Sequence, residues 1–488
     1  MFDIELPETS AITALGDVQL VDAILATSKL DSAIQARRLS AIGELWDRRK
    51  READTECEFF LMDTMEAFAG EIGAAVEITS TRARGLIRLG EALRDRLPKV
   101  AAVFAKGDID PAMVSAIVHR TELIEDQAQI AKVDAVLAKR SPQWTKYSRR
   151  KIAEYIDSWV GRFDPEGVRE PRKPTDDRYL DIRASSEGMA GIWGNLHVQD
   201  AIVFDDRLNQ LAATVCLNDP RTKAQLRADA VIALAERQQR MACTCGAEDC
   251  SGGPPAPARD VVIHVLAESS TVHGDHAAPG YVTGFGPIAA DSVRELKKRA
   301  RIKPVVIPTD VPAEKGYRPS RALAEFVRLR DLFCRFPGCD CPAAQCDIDH
   351  TIPYGQVGGL THPSNLKCEC RGHHLLKTFF VGANGWSDRQ LGDGTVIWTS
   401  PTGHGYATKP GGSLYFPVLS TPTGDPVIIT PPEPHPMRNV MMPKRQRPRA
   451  EDTASRLASE RQRNAERLAL ERLRTAQRNA GDGEPPPF

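Results

Sequence analysis

The chain has 488 residues, of which 41% are hydrophobic and 26% charged, a length and balance that fit two to four folded domains rather than one continuous core. Lys and Arg (64) offset Asp and Glu (65) to a formal charge of -1, which excludes a uniformly basic nucleic-acid binder and confines any polyanion site to a local patch. The longest apolar stretch, Val261 to Ala267, is interrupted by His264, and MFDIELPETS carries acids where a signal peptide needs Lys or Arg, so a cytoplasmic protein without a membrane partner is expected.

Residues 1–19 read as a flexible start. From 20 to 161 apolar residues recur three and four apart, Ala and Leu are frequent and Pro is scarce, which predicts a helical domain. After an opening helix in LVDAILATSKLDSAIQARRLSAIGELWDRR, further helices are expected in ITSTRARGLIRLGEALRDRL, in QWTKYSRRKIAEYIDSWV, and in DPAMVSAIVHRTELI, where Asp110 can cap and Pro111 suits the first turn. Arg82, Arg84, Arg149, Arg150 and Lys151 alternate with acids and read as a solvated face. A charged link, DPEGVREPRKPTDDR, leads into residues 175–310, where YLDIRAS, MAGIWGNLHV and DVVIHVLAES read as strands and RADAVIALAERQQRMA and AADSVRELKKRA as helices. The fold class is therefore α+β, mainly α.

The loop CTCGAEDCSGGPPAPAR holds Cys243, Cys245 and Cys250. Three thiols are one ligand short of a closed zinc site, so the loop is either a second metal site completed by His273 or His276, or a flexible insertion. Six of the eleven cysteines fall between Cys334 and Cys370, where an even spread would put about one. In a reducing compartment that crowding points to metal rather than disulfides. Cys334 and Cys339 flank a Pro337-Gly338 turn and Cys370 with His373 forms a second short pair, so a structural Zn2+ on these four is expected; Cys341, Cys346 and Cys368 are also present, and Cys341 or Cys368 could replace a neighbour. Between the pairs, Asp347-Ile348-Asp349-His350 reads as a strand that ends in a carboxylate and an imidazole before Pro353; Gly358-Gly359, Asn365 and a helix-like HLLKTFF opening at His374 follow. Phosphodiester hydrolysis needs an activated water, a base and a divalent ion; Asp349 and His374 can hold the ion and His350 can take the proton.

Beyond the module of residues 317–400, segment 401–437 carries fourteen Gly and Pro, which predicts an extended linker over 401–443. Lys444 to Arg478 then carries eleven Lys or Arg against five acids, a local charge of +6, so 444–488 reads as a disordered or helical basic tail with Lys444, Arg445 and Arg447 as nucleic-acid contacts. Arg335, Lys367 and Arg371 are the basic candidates nearer the module.

The order Asp-His, Gly-Gly, Asn and His, framed by Cys pairs, resembles the HNH family of nucleases, built as two strands and a helix around one metal. The resemblance implies Asp349 and His374 as ligands of a catalytic Mg2+ or Mn2+, His350 as general base, Asn365 as the residue that fixes the loop, Lys377 as a phosphate contact, and DNA as substrate. Over about residues 20 to 410, including the CxCGxxxC loop, PGYVTGFGPIAADSVREL and a hairpin with Trp386 and Trp398 beside an Asp393-Gly394 turn, the chain also resembles actinobacterial proteins in which a helical domain of unknown function precedes an HNH module. Cysteines at 341 and 368 depart from that pattern. Two further readings stay open: a non-catalytic, zinc-stabilised nucleic-acid-binding protein, and protein assembly or self-association through the helical domain.

Overall fold

The computed structural model describes residues 8–481 apart from 54, 170–177, 186–188, 248–249, 251–263, 275, 299, 355–358, 383–384 and 425–440. Parts of the expected link (164–178), of the strand DVVIHVLAES, of the Cys loop and of the 401–443 linker, together with Gly358 and the chain's first seven residues, lie outside the described residues. What is described is mainly helical with four small antiparallel sheets. The chain divides into two compact units, one formed by Met1–Glu170 with Val306–Phe488 and the other by Pro171–Val305. The helical domain and the Cys-rich module thus share one unit, although 135 residues of sequence separate them. Among the described residues no helix is long and apolar enough to cross a membrane.

In the first unit the opening helix, Asp17–Glu52, buries Ala33, Ala36, Leu39, Ile42 and Trp46 along its second half, while Val18, Val21, Ile24 and Leu25 near its start stay exposed. The three further helices expected from periodicity form at Ser80–Asp95, Pro111–Thr121 and Arg149–Phe163. Each starts at a side-chain cap: Thr79 accepts from the Arg82 amide, Asp110 from Met113 and Ser148 from Lys151, satisfying donors that the first turn cannot. Gly43 and Gly90 let the helices Asp17–Glu52 and Ser80–Asp95 touch backbone to backbone. A Cβ on Gly43 would sit 2.7 Å from the Gly90 carbonyl oxygen. Phe68, Ile87, Leu97, Phe104, Met113 and Ile117 fill the core between them.

The module continues from a helix at Arg321–Asp331 into two antiparallel strands, Cys346–His350 and Leu366–Cys370, in a register that sets Cys346 opposite Cys370 and Asp349 opposite Lys367. A helix at Arg371–Phe379 follows, then a three-stranded sheet of Ser387–Gln390, Val396–Thr399 and Gly405–Thr408. The first part of the expected linker is therefore not extended. Gly411 and Gly412 pack against the backbone at Asp331 and Leu329, where any Cβ would come within 2.7 Å of a carbonyl oxygen, and Phe416 and Leu419 are buried. Glycine here provides close approach rather than flexibility.

The basic tail is a helix, Arg449–Gly481, docked on the helical domain. Arg449 pairs with Asp63 and Glu66, Arg461 with Asp164, and Glu460 with Arg169, while the buried Asn464 amide donates to the carbonyls of Glu166 and Val168. The acids of one domain thus neutralise much of the tail that composition alone marked as a phosphate binder. In the second unit, hairpin strands Tyr179–Ala184 and Ala190–Asn195 precede two packed helices, Val198–Ala212 and Lys223–Ala235, and a small sheet of Val265–Leu266, Gly280–Val282 and Gly286–Ile288.

Candidate functional site

The turn after Arg321–Asp331 and the start of Arg371–Phe379 bring Cys334, Cys339, Cys370 and His373 together with their ligand atoms all within 4.8 Å of one another. His373 Nδ1 lies 3.4 Å from Cys334 Sγ and 3.2 Å from Cys370 Sγ. Its other nitrogen faces Ser80 Oγ at 3.3 Å, and Phe336 stacks on the ring at 4.0 Å between centroids. A hydroxyl that takes the Nε2 proton leaves Nδ1 free to ligate. Burial raises the Cys334 thiol and the Cys334 neighbour raises Cys339, whereas hydrogen bonds from Cys334 and Cys339 hold Cys370 down as the thiolate. Three soft donors that compete for one negative charge in a buried pocket are suited to a shared cation, so the cluster can hold a metal ion such as zinc. Cys341, Cys346 and Cys368 stand outside the four: Cys346 Sγ meets the Pro342 carbonyl at 3.4 Å, and the fully buried Cys368 turns toward the Val327 carbonyl.

On the neighbouring face, Asp349 Oδ1 lies 3.3 Å from His374 Nε2, and Asp347 accepts at 3.0 Å from His374 Nδ1. A six-coordinate ion with ligand bonds near 2.1 Å separates adjacent donors by about 3 Å, so the Asp349 and His374 atoms fit two adjacent positions. Asp347 directs the imidazole for that role. The remaining Asp349 oxygen accepts from Lys377 Nζ (2.5 Å) and from Lys367 Nζ (2.9 Å). Burial pushes the Asp349 carboxyl up, but the Lys367, Lys377 and His374 charges outweigh it and hold it well below the usual range.

His350, 4% exposed, ends its strand beside Asp349. Thr361 donates its only hydroxyl proton to the Gly316 carbonyl (2.6 Å), so its oxygen accepts from His350 Nε2–H (2.9 Å) and the lone pair of the ring stays on Nδ1. Tyr317 stacks on the ring at 5.4 Å between centroids. Burial lowers the imidazole to about 4 against the pull of Asp349, which keeps it neutral at neutral pH. Asn365 ties the intervening loop by accepting from the Ile352 amide (2.8 Å) and donating to the carbonyls of Ile352 (3.1 Å) and Leu360 (2.9 Å). A concavity of about 560 Å³ is lined by Asp310, Pro312, His362, Ser364, Asn365 and Thr423, but not by Asp349, His350 or His374.

Several basic residues require correction. Lys367 is fully buried and lies within 3.0 Å of Asp349, Glu369 and Asp388, so it cannot touch a phosphate. Burial opposes its charge, but those three carboxylates raise it well above the ordinary lysine range. Arg335 is equally buried: with Arg330 it neutralises Asp331, and it donates to the Gly394 and Thr408 carbonyls. Lys377 points inward at Asp349 and the His350 carbonyl instead of outward at a phosphate. Arg445 donates to the carbonyls of Phe60 and Leu61, and Lys444 lies over the Phe60 ring. Arg371, Lys444 and Arg447 remain on the surface. Spacing could not separate these cases because lysine and arginine look alike in sequence whether they meet solvent or a buried carboxylate.

In the second unit, Cys243, Cys245 and Cys250 gather with Cys216, a residue the sequence did not single out, and that cluster too can hold a metal ion. The expected completers are elsewhere: His273 faces Lys297 and His276 faces Glu268.

Residues 27–331 match the family model described as Domain of unknown function (DUF222). The chain belongs to the DUF222 family. That match ends at Asp331, three residues before the first metal-cluster cysteine. The uncharacterized protein Rv2100 of Mycobacterium tuberculosis is 42% identical over 94% of this chain and 90% of its own length, and Rv3776 of the same organism, also uncharacterized, is 41% identical over 94% and 93%. No solved structure matches this chain.

Proposed function

We propose that the module of residues 317–400 is a metal-dependent HNH-type endonuclease that hydrolyses DNA phosphodiester bonds. The observation that carries this reading is the buried His350 ring, bonded through Nε2 to Thr361 so that Nδ1 holds its lone pair, one residue after the Asp349 that meets His374. In this reading His350 Nδ1 takes a proton from the attacking water, and Asn365 keeps the loop that follows His350 in register. Asp349 and His374 would hold Mg2+ or Mn2+, whose charge stabilises the phosphate and the leaving oxygen. Cys334, Cys339, Cys370 and His373 would hold a structural Zn2+ that fixes the helix bearing His374. The exposed Arg371, 3.6 Å from Asp347, is the basic group best placed for the DNA backbone.

One observation favours a different reading, a zinc-stabilised binding module without catalysis: Asp349 is engaged by two ammonium groups, as in a purely structural charge cluster. Supercoiled plasmid incubated with the full chain and Mg2+ or Mn2+ separates the two. Nicking by the native protein that falls by orders of magnitude in His350→Ala, with folding and zinc content unchanged, is the expected result. No nicking by the native chain, or equal nicking by the variant, removes the nuclease reading.

A further inference from the structure

The second unit carries a cysteine cluster that the nuclease reading does not use. Four sulfur atoms, from Cys216, Cys243, Cys245 and Cys250, lie within 4.8 Å of one another, and Cys216 and Cys243 approach to 3.5 Å. A disulfide requires about 2.05 Å between sulfurs. A tetrahedral zinc ion with bonds near 2.3 Å separates its thiolates by about 3.8 Å. The observed spacing is that of ligands around one ion.

The chain around the cluster is built to hold this arrangement. Cys216 follows the helix Val198–Ala212, whereas the other three follow Lys223–Ala235, so the cluster joins two separate turns. Asp219, whose side chain is 2% exposed, is the bridge between them. Its carboxylate accepts from the Thr244 amide at 2.9 Å and from Arg221 at 2.8 Å, and Arg221 in turn donates to the Ala242 carbonyl at 2.8 Å. The Met241 amide donates to Thr214 Oγ1 at 2.8 Å. These bonds clamp the Cys243 segment over the Cys216 turn without using a sulfur atom. Gly246 then turns the chain at φ +76°, in open space, so the position needs glycine for its backbone conformation. The apolar support beneath is slight: Leu208, Leu211, Ala230, Ala233 and Met241 are the buried residues of this core. A core that small gains stability from a metal tie.

We propose that Cys216, Cys243, Cys245 and Cys250 form an all-thiolate site that binds one zinc ion and fastens residues 241–247 and Cys250 to the two helices of the 171–305 unit. Four protein ligands close the coordination sphere, so the site is structural and leaves no position for a reacting water. Binding releases the thiol protons and involves no change of oxidation state. The inference is independent of the nuclease proposal, since it lies in the other unit and shares no residue with it.

Elemental analysis of the full chain, purified without chelator, should find two zinc ions per chain. Cys216→Ser and Cys250→Ser should each lose one equivalent, Cys339→Ser should lose the other, and the double variant Cys216→Ser/Cys339→Ser should lose both. Replacement by Co2+ supplies a second readout. The Cys216→Ser and Cys250→Ser chains should lose more sulfur-to-cobalt absorption than Cys339→Ser, because four thiolates leave with the second-unit site and three with the other. Should one variant fail to fold, the other together with the cobalt spectrum of the native chain still decides. A native stoichiometry of one zinc that Cys216→Ser leaves intact overturns the proposal. So does a metal-free mass two hydrogen atoms light, with an oxidised Cys216–Cys243 disulfide in place of metal.

Discussion

At the scale of single residues, two side chains far from any motif set the properties of the site. Tyr317 covers His350, and burial under it keeps the imidazole near 4, below its ordinary 6.5. The active form of a general base is the neutral one, so nicking should stay level from neutral pH down through pH 6 and fall only as His350 gains a proton near pH 4. Tyr317→Ala should re-expose the ring and move that acid limb upward; an acid limb at 6.5 in the native protein would show that His350 is not the buried base described. Ser80 acts on the other centre, since its hydroxyl fixes His373 with Nδ1 toward the thiols. Ser80→Ala should weaken zinc binding about tenfold in competition with a chelator, with the fold retained. An unchanged affinity would mean that Phe336 stacking alone orients the ring.

At the scale of elements, the two strands and the helix of the module are held by buried charge as much as by apolar packing. Lys367 on one strand joins Asp349 on its partner to Asp388 on the next sheet, and Glu369, 3.0 Å away, is out of line for a hydrogen bond, with burial raising its carboxyl to about 8. With Glu369 protonated, Lys367 and Lys377 balance Asp349 and Asp388. Lys367→Met should therefore destabilise the module by about 3–5 kcal/mol in denaturant unfolding, because it leaves buried carboxylates unbalanced; a loss under 1 kcal/mol would show that water reaches the cluster. Helices and strands were legible in the sequence at Asp110-Pro111 and in Cys346–His350, but the helices Thr64–Val76 and Gln127–Arg140, capped by Asp63 and Asp126, were not told apart within the helical stretch. The direction of a charge was not legible. Lys367 reads as a surface cation because Asp349 and Asp388 lie on other strands, Arg335 because nothing local shows that Asp331, four residues back, is buried, and Cys216 went unnoticed because nothing within a few residues pairs with it. Gly411 and Gly412 read as linker because a glycine needed for close backbone approach looks the same as one used for flexibility.

At the scale of the whole molecule, residues 1–170 and 306–488 fold as one unit, so the C-terminal helix is a structural part of the domain at the other end of the chain. Its contacts are specific. The Arg461 guanidinium meets the buried Asp164 carboxylate and Arg449 reaches Asp63 and Glu66, while Asn464 donates to the Glu166 and Val168 carbonyls. Charged hydrogen bonds of this kind contribute about 1.5–3 kcal/mol each when one partner is removed. A chain ending at Pro443 should therefore lose several degrees of Tm in this unit, and Arg461→Ala should reproduce part of the loss. On the nuclease reading, its DNA binding should keep the slope of log affinity against log salt, since arginines already paired with protein carboxylates have no phosphates to neutralise and release no counterions from them. If the truncated chain instead kept its Tm and lost slope, the helix would be a DNA contact that leaves the protein surface on binding, and Arg463, Arg472 and Arg474 on its exposed face would be the residues responsible.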